Sequence, residues 1–138
     1  FDQEIMKVID NYQPGVIILA GYMRILSADF VSKYFGKILN IHPSLLPKFP
    51  GLNTHQRAID AFEKQHGASV HFVTEELDGG PVIAQEFVNI DSTDNAQTLA
   101  KKVLDKEHAL YPKTIHWYTQ NRLKLIDNNT ATLDKKTL

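Results

Sequence analysis

Apolar residues recur along this chain in several distinct rhythms. Phe1, Ile5, Val8, Ile9 and Tyr12 fall at helical spacing, predicting an amphipathic helix that ends in the turn residues between Asn11 and Pro14. Val16 to Ala20 is an unbroken apolar run, and its length and β-branched content predict a strand buried on both faces. Ser27 is placed to cap a helix over 28–35 that buries Val31, Tyr34 and Phe35. A second short apolar run, Lys37 to Ile41, completes a strand–helix–strand unit of the kind that builds parallel sheets.

Beyond it, Asn53 or Thr54 caps a helix expected to reach Gln65, with Ala58, Ile59 and Phe62 inward and Gly67 as its stop. From Ala68 the pattern changes to strict alternation. Ala68, Val70 and Phe72 share one face of a strand, and Ser69, His71 and Val73 share the other. A second strand over Val82 to Ile90 follows a short connection, Glu75 to Gly80, so the pair is expected to form an antiparallel hairpin. Leu99, Val103, Leu110, Ile115 and Tyr118 mark the buried side of a long helical region that Pro112 should kink or split. A terminal hairpin turns at Asp127–Asn129. With no repeats or linkers, residues 1–138 read as one domain or part of one. The chain opens inside a helix without Met, so upstream sequence is expected to be missing.

The stretch from Gly36 to Gly51 stands apart. Its strand stops at Pro43, with Pro47 and Pro50 following, and three residues without a backbone donor forbid a continuing helix or central strand. Asn40 and His42, two apart on the strand end, should project the same way. An amide and an imidazole aimed from one rigid strand end suit carbonyl chemistry, one binding a developing oxyanion and the other moving a proton. A strand edge with a surface His and a capping Asn is an equal reading of the same residues. In parallel α/β sheets ligands bind beyond the carboxyl ends of strands, which places a site between loops 21–26 and 42–51.

Composition narrows the possibilities. Fifteen basic and sixteen acidic residues give a net charge of −1, with no basic stripe to bind nucleic acid. There is no cysteine, hence no disulfide, thiolate nucleophile or cysteine metal site. No apolar run or signal pattern points to a membrane or to export, so a cytoplasmic protein is expected. Neither common glycine-rich phosphate loop occurs, and without a Gly-x-Ser-x-Gly pattern Ser44 is not a hydrolase nucleophile. The histidines lack metal-ligand spacing, so no metal is expected. His55, His66, His108 and His116 read as solvated or core-edge residues, and His71 as support for a neighbouring group. Asp78, before Gly79 and Gly80, is either a turn residue or a carboxylate that orients an imidazole and favours its cation.

Three segments together carry a resemblance: Asn-Ile-His-Pro-Ser-Leu-Leu-Pro-Lys-Phe-Pro-Gly (40–51), His-Gly-Ala-Ser-Val-His-Phe-Val-Thr (66–74) and Leu-Asp-Gly-Gly-Pro-Val-Ile (77–83). They resemble the folate-dependent formyltransferases, in particular those acting on glycinamide ribonucleotide, over about residues 5–126. The resemblance implies an α/β, Rossmann-like three-layer fold with a mostly parallel sheet, here its C-terminal portion only. It implies transfer of a formyl group from 10-formyltetrahydrofolate to the amine of glycinamide ribonucleotide in purine synthesis. Asn40, His42 and Asp78 match the family's catalytic trio. Met23, Arg24, Ile25, Leu26, Asn40, Thr74 and Asp78 match its folate pocket, and Ile41, Pro43 and Glu107 its nucleotide contacts; read from the sequence alone, Glu107 is equally a solvated helix charge. The family's opening strand and phosphate-holding glycine-rich loop are absent from this sequence. A monomer or homodimer is expected, with an exposed sheet edge as a route to self-association.

Three rival readings remain at this point. A formyltetrahydrofolate deformylase uses water in place of the amine, but its motif tends to read His-His-Ser where this chain has Pro43 after His42. A methionyl-tRNA formyltransferase usually carries a further basic C-terminal domain, which does not match this chain. The third is a folate-binding piece without catalysis.

Overall fold

The computed structural model describes residues 2–12, 14–20 and 26–138, with Asp2 as backbone only. Helix α1 (Asp2–Tyr12) leads to strand β1 (Ile17–Ala20), helix α2 (Ala28–Lys33) and strand β2 (Ile38–His42). Helix α3 (Thr54–Asp60), strands β3 (Gln65–Phe72) and β4 (Val82–Asn89), and helix α4 (Ala96–Thr119) follow. The chain closes with β5 (Leu123–Asp127), β6 (Thr130–Leu133) and β7 (Lys136–Thr137), a small antiparallel sheet.

The main sheet runs β1-β2-β3-β4. β1 and β2 are parallel, as the strand–helix–strand pattern predicts, while β2–β3 and β3–β4 are antiparallel. The described sheet is therefore mixed rather than mostly parallel. Its direction reverses after β2 because residues 43–64 stay at that strand's C-terminal end: His42 pairs with Ser69, and β3 begins four residues further out. The chain never returns along the sheet, which a parallel successor would need.

Two apolar layers enclose the sheet. Leu39, Ile41, Ala68, Val70 and Phe72 pack with Leu99, Val103 and Leu110 of α4. On the opposite face Ile38 packs with Met6 of α1 and with Phe30, Val31 and Tyr34. All five residues of β2 are buried, so the polar side chains of Asn40 and His42 lie inside the protein. Each fully buried aliphatic residue such as Leu39 contributes about 1.5–3 kcal/mol of transfer free energy, which offsets the cost of enclosing those polar groups.

Helix boundaries follow local chemistry where the caps are strong. Ser27 Oγ accepts from Phe30 N at 3.2 Å, and Asn95 and Thr98 form a reciprocal capping box at the start of α4. Pro112 sits inside α4 without splitting it, and the residue one turn before it, His108, is exposed where water reaches the freed carbonyl. Phe35, expected inside, is exposed because α2 stops at Lys33.

The stretch after α3 departs furthest from the sequence reading. The helix ends at Asp60 instead of Gln65, and Phe62 takes φ +56° with its side chain in solvent. Gly67 is a strand residue, not a helix stop. A Cβ there would lie 2.0 Å from Glu86 O, so β4 crosses it too closely for any side chain. Asn53 occupies the α3 cap position at φ +56° but makes no side-chain cap, and Thr54 instead donates to Pro43 O at 2.6 Å.

Candidate active site

β2 ends with Asn40 and His42 on one face, and β3 supplies their cross-strand partners. Asn40 pairs with His71 and His42 with Ser69, so four polar side chains gather where two buried strands meet. Asp78 arrives from the turn between β3 and β4 at φ +52°. That turn is possible because Gly80 has no side chain: a Cβ would fall 1.8 Å from Phe72 O.

Asp78 joins the cluster together. Its Oδ2 lies 3.4 Å from His42 Nδ1 and accepts from Gly51 N at 2.9 Å, and its Oδ1 lies 3.8 Å from His71 Nε2. His42 Nε2 is 2.8 Å from Phe49 O. Both ring nitrogens of His42 thus meet oxygen acceptors, and each has a place for a hydrogen. His71 is held differently. Its Nδ1 donates to Phe72 O at 2.9 Å, which leaves Nε2 to accept from Asn40 Nδ2 at 3.3 Å. Burial lowers the His71 pKa below its ordinary value, outweighing the opposing Phe72 carbonyl and Asp78, and keeps the ring neutral as that arrangement requires.

Asn40 Oδ1 is left over. Among the described residues it is the buried side-chain polar atom without a hydrogen-bond partner. An enclosed acceptor of this kind costs about 1–3 kcal/mol until a donor reaches it. Asn40, His71, Thr74 and Asp78 line a cleft whose apolar wall includes Leu19 and Leu26. Leu26, Asn40, Thr74 and Asp78, all matched to the folate pocket, therefore share one cleft. Met23, Arg24 and Ile25 lie outside the described residues. His42 does not line the cleft; Asp78, which does, connects it to His42.

The three residues matched to nucleotide contacts are not gathered there. The Ile41 side chain packs into the core, so a ligand meets only its backbone. Pro43 is half-buried, its carbonyl engaged by Thr54. Glu107 sits half-buried on α4, with its carboxyl pKa raised by burial.

A second cluster adjoins the first. His55 Nδ1 is 3.1 Å from His66 Nε2, and the edge of the Phe49 ring meets His66. Burial first, then the neighbouring His55 and His42, push His66 down to about 4, and His55 is lowered mainly by burial. The sequence reading left both as solvated or core-edge residues. His66 is instead enclosed, because β3 begins before it rather than after it. Ser69 was placed on the His71 face without a role, although its two-residue offset from His71 already carried that signal. Among the described residues no group of three or more histidine, cysteine or carboxylate side chains is arranged to hold a metal ion. No described helix is long and apolar enough to cross a membrane.

Known proteins share this sequence and fold. The formyl transferase family model matches residues 1–115. The phosphoribosylglycinamide formyltransferase of Escherichia coli is 51% identical over 138 residues, all of this chain and 65% of that protein. Its Haemophilus influenzae counterpart is 47% identical over 99% of this chain and 64% of its own length. Among solved structures, the Coxiella burnetii phosphoribosylglycinamide formyltransferase superposes with a TM-score of 0.93 at 47% identity, covering 99% of this chain and 64% of that one. A formyltetrahydrofolate deformylase from Pseudomonas syringae reaches 0.87 at 30% identity, covering 95% of this chain and 44% of that one. The chain thus spans about two-thirds of the length of these two curated relatives. On the extent of the family match and the fold it shares with these structures, the chain belongs to the formyl transferase family.

Proposed function

We propose that this chain carries the reaction centre of a glycinamide ribonucleotide formyltransferase, moving a formyl group from 10-formyltetrahydrofolate to a primary amine. The observation that carries the proposal is the unpartnered Asn40 Oδ1 beside Asp78 in a cleft with an apolar wall. A folate ring system is flat, largely apolar on its faces and bears N–H donors at its edge. Leu19 and Leu26 suit the faces, and the Asn40 and Asp78 oxygens suit the donors. The folate supplies the formyl group; the chain supplies orientation, charge stabilisation and proton movement.

Acyl transfer to an amine needs a donor toward the oxygen that gains negative charge, an acceptor for the amine N–H, and a proton carrier. Asn40 offers both amide functions at one point, its orientation fixed by the neutral His71 ring. In the transfer a C–N bond to the amine forms and the formyl C–N bond to the folate breaks. The proton lost by the amine passes to the departing folate nitrogen by way of Asp78, which reaches the cleft and is held against His42. Phe49 O and Gly51 N hold that pair from behind.

Deformylation is the second reading, favoured by the fold shared with the Pseudomonas syringae enzyme. The distinguishing experiment uses the full-length protein with 10-formyltetrahydrofolate, with and without glycinamide ribonucleotide. Formylated nucleotide as the main product supports the transferase. Formate released at the same rate without the amine supports deformylation, and folate binding without either product supports a non-catalytic role.

A further inference from the structure

The loop from Pro43 to Leu52 holds the catalytic pair, and little of it is regular structure. Three of its residues are prolines without an N–H, so the loop makes few internal backbone bonds, such as Ser44 N to His42 O and Lys48 N to Leu45 O. Its carbonyls are met by side chains instead. Thr54 donates to Pro43 O, Ser69 to Ser44 O at 2.7 Å, Ser44 Oγ to Lys48 O at 2.5 Å, and Arg57 to Pro50 O at 2.6 Å and Leu52 O at 3.0 Å.

A further donor comes from β4, the far edge of the sheet. Gln85 Nε2 donates to Leu46 O at 2.8 Å and to Ser69 Oγ at 2.9 Å, and Ser69 Oγ also accepts from Leu46 N at 3.0 Å. Ser69 is fully buried and stands directly opposite both His42 and Gln85. Its hydroxyl makes three bonds, giving one hydrogen and accepting two, so its capacity is filled. Gln85, Ser69 and Leu46 form a closed triangle that fixes the middle of the loop against the sheet. Three and five residues on, Phe49 O and Gly51 N hold His42 and Asp78.

We propose that Gln85 is a positioning residue for the His42–Asp78 pair, acting through the loop without touching substrate. The inference rests on the formyl-transfer reading above. Its side chain sets where the loop lies along the sheet, and so where the Phe49 carbonyl and Gly51 amide stand relative to the imidazole and carboxylate. Misplacing catalytic groups by about 1 Å costs on the order of 100-fold in rate. Leu26 and Thr74, which line the cleft, make no bond to this triangle, so folate binding there should be spared.

The test compares Gln85→Met and Gln85→Glu in the full-length protein, both close to the native side chain in length. Methionine removes the donors. Glutamate replaces them with a carboxylate facing the Leu46 carbonyl. The expected result is a fall in kcat of about 10- to 100-fold for Gln85→Met and more for Gln85→Glu, with KM for the folate within about twofold of the parent. The His42 ring resonances should shift in both variants. Melting temperature and circular dichroism give the folded fraction. An active parent with parental kcat in both variants, or a fall in kcat no larger than the loss of folded protein, overturns the inference. A parent that transfers no formyl group instead overturns the functional reading on which it rests.

Discussion

His66 ties the fold's stability to pH in a direction that can be worked out. Its ring is buried against His55 and Phe49, and its pKa is pushed from 6.5 to about 4. An unfolded chain binds a proton at this residue near pH 6.5, whereas the folded chain resists it until about pH 4. Between those values the unfolded state carries more protons, so stability rises with pH across the window and falls on acidification. The full shift corresponds to at most ~3 kcal/mol, and to about 2 kcal/mol once solvent access beside half-buried His55 is allowed for. The perturbation is His66→Gln, which keeps a polar side chain but removes the titration. Urea midpoints of the full-length parent and variant, taken from pH 7.5 down to pH 4.5, give the comparison. The parent should lose about 2 kcal/mol more than the variant over that range. Equal pH slopes would show that His66 is not held neutral by its surroundings. The lowered carboxylates, Asp94 at about 2 among them, lose their contribution only at lower pH. His55 and His71, also lowered by burial, act in this window in parent and variant alike, so the difference between the two isolates His66.

Other perturbations separate structure from chemistry. Gly80→Ala drives a Cβ into Phe72 O, and should cost about 1–3 kcal/mol in chemical denaturation while also displacing Asp78, so its loss of turnover should exceed its loss of folded protein. Asn95→Ala removes the side-chain half of the α4 capping box, the acceptor for Thr98 N, at a residue that does not line the cleft, and should cost about 1 kcal/mol in the same assay with kcat unchanged.

Much of the site was legible because period-two spacing is a local property. Asn40 and His42 share a face on their strand, as their two-residue offset requires, and Ala68, Val70 and Phe72 enter the core together. The Asp78 turn announced itself through two glycines, and Gly80 is now explained by its contact with a backbone carbonyl. What the pattern did not carry is non-local. Glu63 to His66 contains no strand signature; β3 starts at Gln65 because β4 is there to pair with it, from Gln65 opposite Asn89 onward. Gly67 resembles a helix stop until β4 is laid across it. The reversal of sheet direction after β2 depends on where a proline-rich loop comes to rest, and no residue in that loop encodes it alone. The His55–His66 contact and the Gln85–Ser69–Leu46 triangle likewise join separate elements.

Under the proposed function, Asn40 stands at the point where charge develops during formyl transfer. Turnover of Asn40→Ala against the parent, in the full-length protein with saturating folate and amine, tests it most directly. Loss of one such donor predicts a fall in kcat of about 100- to 1,000-fold with the fold intact. Turnover within a few-fold of the parent would contradict the assignment and move the chemistry away from this cleft.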